Sequence, residues 1–119
     1  MKVLVCGGRD FKDVNLVYET LDKVYEKYGD DLIIVHGSCE TGADDIAEKW
    51  AKDRQVDYMG FPAKWRKQRR SAGPIRNRRM RDNSKPDACI AFKGGSGTKG
   101  MIDLMNEIGV TPWLVGWGK

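Results

Sequence analysis

Short apolar runs alternate with segments of helical periodicity along this chain, and this alternation constrains the fold more than any other feature of the sequence. Short apolar stretches predict strands over residues 2–6, 32–36, 56–61, 87–92 and 112–117, of which 2–6 and 32–36 have the pattern of buried strands and 56–61 is the weaker signal. Strands that alternate with helices form right-handed βαβ units, in which the strands lie side by side in parallel. The sequence therefore predicts an α/β fold with a parallel sheet covered by helices on both faces.

Apolar residues spaced three and four apart predict the helices between these strands. The predicted helices cover residues 14–28, 43–51, 73–83 and 98–108. Pro74 suits the first turn of the third helix. Thr41, followed three residues later by Asp44, is a variant of the capping box at the start of the second helix. The segment through Pro62 and Trp65 is predicted to be a loop.

The chain has 119 residues without a linker, a repeat or a biased tract, so we predict a single Rossmann-like domain over residues 1–119. With about five strands in the common order 3-2-1-4-5, the first and fourth strands lie side by side where the winding reverses. Open α/β sheets bind their ligands at that reversal, outside the carboxyl ends of the strands. The turns CGGRDF (6–11) and FKGGSGTKGM (92–101) are therefore predicted to face one crevice.

The turn after the fourth strand is rich in glycine and opens a helix. Gly95-x-Gly97-x-x-Gly100 has the form of the dinucleotide-binding fingerprint, but the acidic residue expected about 20 positions later is missing. No Gly-Lys-Ser/Thr sequence closes the turn, so it is not a Walker P-loop. Two interpretations stay open: a tight turn that needs glycine, or an anion site built from the amides at the helix start. The candidate phosphate ligands are Gly94, Gly95, Ser96, Gly97 and Thr98.

The turn after the first strand supplies a second set of candidates, Gly7, Gly8 and Arg9. The Arg9 guanidinium is suited to bidentate pairing with a phosphate, or alternatively to an ion pair with Asp10 or Asp13. We predict the ligand role for Arg9.

Three further candidates follow the second strand. His36 ends that strand and Gly37 follows it, and both are included in the predicted ligand site, although a lone histidine is more often a packed residue. Asp44 suits a helix start, where the dipole favours acidic side chains. Its predicted position at the crevice also allows a contact with a ribose.

Positive charge is concentrated in one segment of the chain. Residues 64–81 carry nine basic and no acidic side chains, whereas the remaining residues carry 12 basic and 17 acidic ones, a net charge of −5. Three interpretations stay open: a solvated helix face, a nucleic-acid patch with Trp65 available for stacking, or a helix whose Arg76 projects into the crevice. All three predict attraction for anions.

The cysteines and the lengths of the apolar segments indicate the cellular environment of the protein. Cys6, Cys39 and Cys89 are odd in number and far apart, so neither a disulfide framework nor a zinc site is predicted. The N-terminal apolar run is too short for a signal peptide, and no segment has the apolar length that spans a bilayer. We therefore expect a cytoplasmic protein with reduced thiols, no metal and no membrane partner.

Several blocks of this sequence together resemble the SLOG superfamily, which unites the DNA-processing protein DprA with the LOG nucleotide phosphoribohydrolases. Within it, the chain is most similar to the YspA-like branch. The matching blocks are VCGGRDF (5–11), VHG (35–37), GAD (42–44), WA (50–51), GFPAKW (60–65), AGPIRNRRM (72–80) and AFKGGSGTKGM (91–101). The resemblance implies a Rossmann-like fold that binds nucleotides or their derivatives at the crevice.

The resemblance also identifies one departure. LOG enzymes carry an Arg-Lys-x-x-Met helix and a Gly-Gly-x-Gly-Thr-x-x-Glu turn, whose arginine and glutamate act in cleaving the base from its ribose phosphate. The arginine corresponds to Arg76, the lysine to Asn77 and the methionine to Met80, whereas the glutamate corresponds to Met101. A thioether neither activates water nor stabilises an oxocarbenium-like transition state, so the match favours binding over catalysis.

The leading interpretation is a sensor or sequestering protein for a nucleotide or a derivative such as ADP-ribose or an NAD-related molecule, with no required cofactor. One alternative is a phosphoribohydrolase or related N-glycosidase that uses Arg76 with Asp10 or Asp44 in place of the missing glutamate. The other is a single-stranded nucleic-acid-binding module that uses residues 64–81. The resemblance further implies a homodimer.

Overall fold

The structure is a computed structural model that describes residues 1–118. Five strands run in chain order as β1 (Lys2–Cys6), β2 (Ile33–His36), β3 (Asp57–Gly60), β4 (Ala88–Phe92) and β5 (Trp113–Val115). The helices are α1 (Val14–Tyr28), α2 (Gly42–Arg54), α3 (Trp65–Gln68), α4 (Ala72–Ser84) and α5 (Ser96–Glu107). Short 3₁₀ turns cover Gly29–Asp31 and Arg69–Ser71.

The five strands form one sheet in the order β3-β2-β1-β4-β5, and every neighbouring pair is parallel. The predicted α/β Rossmann-like fold and its strand order are confirmed. The central strand β1 pairs Leu4 with Val35 of β2 on one side and with Cys89 of β4 on the other. The carboxyl ends of β1 and β4 therefore lie side by side, which is where the two glycine-rich turns begin.

The helices cover both faces of the sheet, and each face has its own apolar cluster. On one face α1 and α2 pack through a cluster that includes Leu21, Ala47 and the fully buried Trp50. On the other face α4 and α5 pack through a sulfur-rich cluster whose buried members are Leu4, Cys6, Val35, Met80, Cys89, Ala91, Met101 and Met105. The second cluster lies beneath the turn that follows β4.

The start of α2 differs from the predicted capping box. The Thr41 side chain makes no capping bond within α2; its hydroxyl instead donates to the carbonyl oxygen of Arg9 at 2.8 Å. The Asp44 carboxylate accepts a hydrogen bond from the Cys39 amide at 3.4 Å. Tertiary contact with the turn after β1 therefore replaces the local cap, because the two segments are packed against each other.

Other elements also differ from the sequence prediction, among them the second helix, which continues to Arg54. The segment predicted as a loop through Trp65 contains the four-residue helix α3. The fifth strand ends at Val115 because Gly116, with φ of 78°, turns the chain out of the extended conformation. Among residues 1–118, no helix combines the length and the apolar character required to cross a bilayer.

Gly42 provides a test of how tightly α2 is packed against the turn after β1. Its φ is 80°, and a Cβ atom there would lie 2.6 Å from Arg9 Cα and also against the Gly8 carbonyl oxygen. We expect Gly42→Ala to lower the free energy of unfolding by about 2 kcal/mol or more, because left-handed strain and a backbone clash add. Thermal unfolding should show a decrease in Tm of several degrees or more.

Gly100→Ala is the matched control for this substitution. A Cβ atom at Gly100 meets no atom within 4 Å, and the residue lies inside α5, where alanine is the better helix former. Its Tm should stay the same or rise. An equal loss of stability in both variants would contradict the packing described for Gly42.

Candidate functional site

A crevice of about 720 Å³ opens at the carboxyl edge of the sheet. It lies between the turns that follow β1 and β4, the start of α2, and the first turns of α4 and α5, with Trp65 of α3 at its border. Ligand sites of small molecules commonly occupy roughly 300–1,000 Å³. The volume is therefore suited to a ligand of nucleotide size.

Ten of the thirteen residues predicted as ligand-binding line this crevice, and three do not. Those that line it are Gly7, Gly8, Arg9, Asp44, Arg76, Asn77, Gly95, Ser96, Gly97 and Thr98. The three that lie outside the lining are His36, Gly37 and Gly94. Asp10 also lines the crevice.

The two glycine-rich turns meet through their backbones. The Gly8 amide donates to the Lys93 carbonyl oxygen at 2.9 Å. A Cβ atom at Gly94 would lie 2.7 Å from the Gly8 nitrogen and would overlap the Thr98 hydroxyl. Gly94 therefore allows the close approach of the two turns, a structural role in place of the predicted ligand contact.

The start of α5 faces the open crevice. The cap residue Gly95 contributes no side-chain bond, and the first turn of the helix contains no acidic residue. Cβ atoms built at Gly95 and Gly97 meet nothing within 4 Å, so neither glycine is required by internal packing. Because the first amides of a helix lack partners within the helix, this turn presents free N–H groups and the positive end of the dipole to an anion.

Arg76 is fixed at the crevice by neighbouring polar groups. Its Nη1 donates to the Gly37 carbonyl oxygen, and its Nε donates to Asn77 Oδ1 at 2.9 Å. Asn77 Nδ2 in turn donates to the Gly97 carbonyl oxygen at 3.4 Å. A Cβ atom at Gly37 would lie 2.6 Å from Arg76 Nη1, so Gly37 acts by leaving room for the guanidinium and by accepting its hydrogen bond.

Positive charge predominates in the crevice. The lining arginines are Arg9, Arg70, Arg76 and Arg78. Within residues 1–118, none of these four guanidinium groups lies within 4.0 Å of a carboxylate oxygen as an ion pair. Asp10 and Asp44 are the lining carboxylates. The alternative considered for Arg9, an ion pair with Asp10 or Asp13, is therefore absent among these residues, and the Arg9 guanidinium carries no carboxylate partner there.

The buried Asp44 and the half-buried Cys39 lie beside each other next to Arg76. Asp44 is only 7% exposed. Burial, followed by the negative charge of Asp44, raises the pKa of the half-buried Cys39 thiol, while Arg76 partly opposes this shift. The Asp44 carboxylate thus lines the crevice between Cys39 and Arg76.

The floor of the crevice is apolar and rich in sulfur. Cys6, Met80 and Met101 line it, and Met101 is 1% exposed. The hydrogen-bonding contact with Cys89 and then burial raise the pKa of the Cys6 thiol, so this cysteine is a neutral packed residue. The position that resembles the catalytic glutamate of LOG enzymes is therefore occupied by a thioether that belongs to the core.

His36 has a structural role in place of the predicted ligand contact. Its ring is buried, and its Nδ1 accepts a hydrogen bond from the Ser38 amide at 2.9 Å. Its Nε2 lies 3.1 Å from Glu48 Oε1 without the alignment of a hydrogen bond, and its ring stacks on Tyr58 at 5.8 Å. The histidine is thus held between β2, β3 and α2, away from the crevice.

The structure adds lining residues that the sequence did not single out. Cys39 and Gly73 carry no motif of their own, and Arg70 and Arg78 are indistinguishable by sequence from the other basic residues of their segment. Trp65 is 46% exposed, and its ring lies 4.7 Å from Arg9 Cζ. From the sequence, Trp65 is a candidate only for stacking in a nucleic-acid patch, and it is the packing of α3 and α4 that brings Trp65, Arg70 and Arg78 to the crevice.

Comparison with known proteins agrees with the geometry of the fold. Residues 1–68 match the model of the YspA, cpYpsA-related SLOG family. The chain belongs to this family. The SLOG match covers the chain from β1 to α3, including the turn after β1 and all of α2, whereas Arg76 and the turn after β4 lie beyond it.

A curated relative extends the similarity further along the chain. The Gene 61 protein of Mycobacterium phage D29 is 38% identical over 101 residues, which cover 79% of this chain and 78% of the phage protein. Within residues 1–118, no group of three histidine, cysteine, aspartate or glutamate side chains is arranged to hold a metal ion. The lining of the crevice combines four arginines and two carboxylates with the start of α5 and an apolar, sulfur-rich floor.

Cys39 provides a test of the charge arrangement beside Arg76. We expect one thiol to react faster than the other two with Ellman's reagent at pH 8, because Cys6 and Cys89 are buried and Cys39 is the partly exposed thiol. Asp44→Asn should increase that rate, because loss of the nearby negative charge lowers the pKa of Cys39 and raises its thiolate fraction. The release of thionitrobenzoate measures the rate.

Asp45→Asn is the control, because Asp45 lies on the same helix and pairs with Lys49 at 2.9 Å. Its labelling rate should match that of the wild type, and Cys39→Ser should remove the fast phase. Equal rates for Asp44→Asn and the wild type would contradict the electrostatic contact.

Proposed function

We propose that the crevice binds a nucleotide or a nucleotide-derived molecule, such as ADP-ribose or an NAD-related compound, and that the protein senses or sequesters this ligand. The observation that carries the proposal is the convergence of the free α5 amides with arginines that have no carboxylate partner among residues 1–118. Membership of the SLOG family supports a nucleotide-related ligand.

Each part of the crevice suits one part of such a ligand. The first turn of α5, with the Thr98 hydroxyl, presents donors for phosphate oxygens, and Arg9 and Arg76 add charge-assisted donors. Asp44 presents an acceptor for ribose hydroxyls. The sulfur-rich floor supplies apolar contact for the sugar. This division separates phosphate recognition from sugar recognition and requires no cofactor.

A second candidate function is N-glycosidic hydrolysis, and Asp44 is the observation that favours it. Its buried carboxylate lines the crevice beside Arg76, so a phosphoribohydrolase could use it, or Asp10, in place of the missing glutamate. We place binding first because Asp44 already accepts a hydrogen bond from the Cys39 amide, and because Met101 removes the carboxylate that the LOG enzymes use. A homodimeric assembly and a cytoplasmic location stay predictions that accompany this proposal.

The binding proposal predicts ligand-dependent stabilisation. A panel of AMP, ADP-ribose, NAD, cyclic ADP-ribose isomers and cyclic nucleotides should contain a compound that raises Tm by several degrees, since ligand at 100 times its Kd adds about 2.7 kcal/mol. Arg76→Ala should weaken that ligand roughly 10- to 100-fold, because it removes a charge-assisted donor. Isothermal titration calorimetry measures the affinity of each variant.

Arg79→Ala is the matched control, because Arg79 lies on the same helix, carries the same charge, and donates to the Pro62 carbonyl oxygen outside the crevice. It should bind like the wild type. If both variants lost affinity equally, the overall positive charge of the basic segment, and not a specific contact with Arg76, would account for binding. If no nucleotide raised Tm while single-stranded DNA bound with a steep salt dependence, the basic segment would be the site and the proposal would be wrong.

Met101 distinguishes binding from hydrolysis. Chromatography of the wild-type mixtures should recover the ligand intact. Met101→Glu should lower the free energy of unfolding by about 2 kcal/mol or more, because a carboxyl group enters the buried cluster of Met80 and Met105. It should also release free base, because Arg76 and the turn after β4 match the remaining LOG machinery.

Met101→Gln is the control, since it has a similar shape without an ionisable group and should release no base. Release by the wild type would establish the hydrolase instead of the binder. If Met101→Glu bound the ligand without releasing base, the missing glutamate would not be the only difference between this crevice and that of the LOG enzymes.

A further inference from the structure

Trp65 is placed in a way that packing does not explain. It begins the four-residue helix α3 at the border of the crevice and is 46% exposed. Its side chain belongs to neither apolar cluster of the described chain. Large aromatic side chains that remain half-exposed beside a pocket commonly serve recognition, because they present a broad apolar face to a partner.

One face of the Trp65 ring is occupied by Arg9. The guanidinium carbon lies 4.7 Å from the ring centroid. Both side chains line the same crevice, and Arg9 makes no ion pair within residues 1–118. A planar group with delocalised electrons therefore already lies against the indole, at the mouth of the proposed ligand site.

We propose that the indole of Trp65 is the stacking platform for the base of the ligand, and that the Arg9 guanidinium marks the place that the base takes. This inference rests on the proposed function, because it assigns the base to a part of the crevice that the phosphate and ribose contacts leave free. When the base binds, Arg9 leaves the ring and turns toward the phosphate. The exchange converts an internal contact into two contacts with the ligand.

The relative strengths of the two contacts favour this exchange. A cation–π contact on an exposed ring favours the contact over the solvated cation by an equilibrium constant of only about two to five. Stacking a base on an aromatic side chain increases ligand affinity by roughly 5- to 100-fold. Arg9 also gains a charge-assisted partner in the phosphate, which is a stronger contact than the ring. The loss of the cation–π contact is therefore outweighed by the stacking and phosphate contacts, and the exchange as a whole is favourable once a nucleotide enters the crevice.

Stacking also determines the class of base that the crevice prefers. The strength of stacking depends on the area of the base and not on the hydrogen-bonding groups at its edge, so an aromatic platform accepts different bases. Purines present a larger face than pyrimidines. We therefore expect a purine nucleotide to bind more tightly than a pyrimidine nucleotide with the same phosphate, and adenine and guanine to be discriminated weakly.

The test compares ligands with and without a base on variants of Trp65. Calorimetry would measure Kd for AMP, CMP and ribose 5-phosphate with the wild type, Trp65→Phe and Trp65→Leu. The wild type should bind AMP at least about fivefold more tightly than ribose 5-phosphate, with CMP between them. Trp65→Leu should bind all three alike, with the affinity for ribose 5-phosphate unchanged, and Trp65→Phe should retain part of the preference for AMP.

Trp113→Leu is the control, because Trp113 is 48% exposed at the edge strand β5 and lies outside the crevice. It should keep the full preference for AMP. The quenching of tryptophan fluorescence by AMP should likewise persist in Trp113→Leu and be lost in Trp65→Phe.

The outcomes separate this inference from the proposed function. If AMP binds the wild type and binds Trp65→Leu equally well, the stacking assignment is wrong and nucleotide binding stands. If Trp65→Leu lowers the affinities for AMP and ribose 5-phosphate by the same factor, Trp65 only supports the shape of the crevice, and the stacking assignment is again wrong. If no nucleotide binds the wild type, both proposals fail. If single-stranded DNA then binds and Trp65→Leu abolishes that binding, Trp65 is part of a nucleic-acid-binding surface.

Discussion

The backbone contact between the turns after β1 and β4 is the constraint on which the rest of the crevice depends. The Gly8 amide donates to the Lys93 carbonyl oxygen at 2.9 Å, and the Gly8 carbonyl oxygen accepts from the Ala43 amide at 3.2 Å. Glycine at position 94 allows this approach, because a Cβ atom there would lie 2.7 Å from the Gly8 nitrogen. The backbone of Gly8 thus holds the turn after β1 against both the start of α2 and the turn that leads into α5. Contacts within the protein therefore define the crevice, and binding of the proposed ligand would require little ordering of these turns.

The polar groups of the crevice are held by backbone atoms more than by opposite charges. Arg76 donates to the Gly37 carbonyl oxygen and to Asn77, and Asp44 accepts from the Cys39 amide. An arginine bound to a carbonyl oxygen keeps its full charge for an incoming anion, whereas an arginine paired with a carboxylate would be neutralised in part. This arrangement suits recognition of phosphate. The buried thioether of Met101 beneath it contributes shape and no proton transfer.

Most of the site could be predicted because it follows from topology. Parallel strands in the order 3-2-1-4-5 bring the carboxyl ends of β1 and β4 together, so the residues of both turns were identified from their positions along the chain. His36 and Gly37 end a strand at the same edge and were included for that reason, but the histidine packs against Glu48 and Tyr58. A residue at the carboxyl end of a strand therefore does not necessarily face the crevice, because its side chain can pack against a neighbouring helix and strand, as His36 does against α2 and β3.

The sequence by itself determined the fold class, the strand order and the two glycine-rich turns, because apolar periodicity and the handedness of βαβ units leave few arrangements for five strands. It did not determine which members of the basic segment face the crevice. Arg70 and Arg78 line it, and Trp65 meets Arg9 at 4.7 Å, only because α3 and α4 pack as they do. Charge and aromatic character are properties of single residues, whereas convergence on one ligand depends on contacts between segments far apart in the chain.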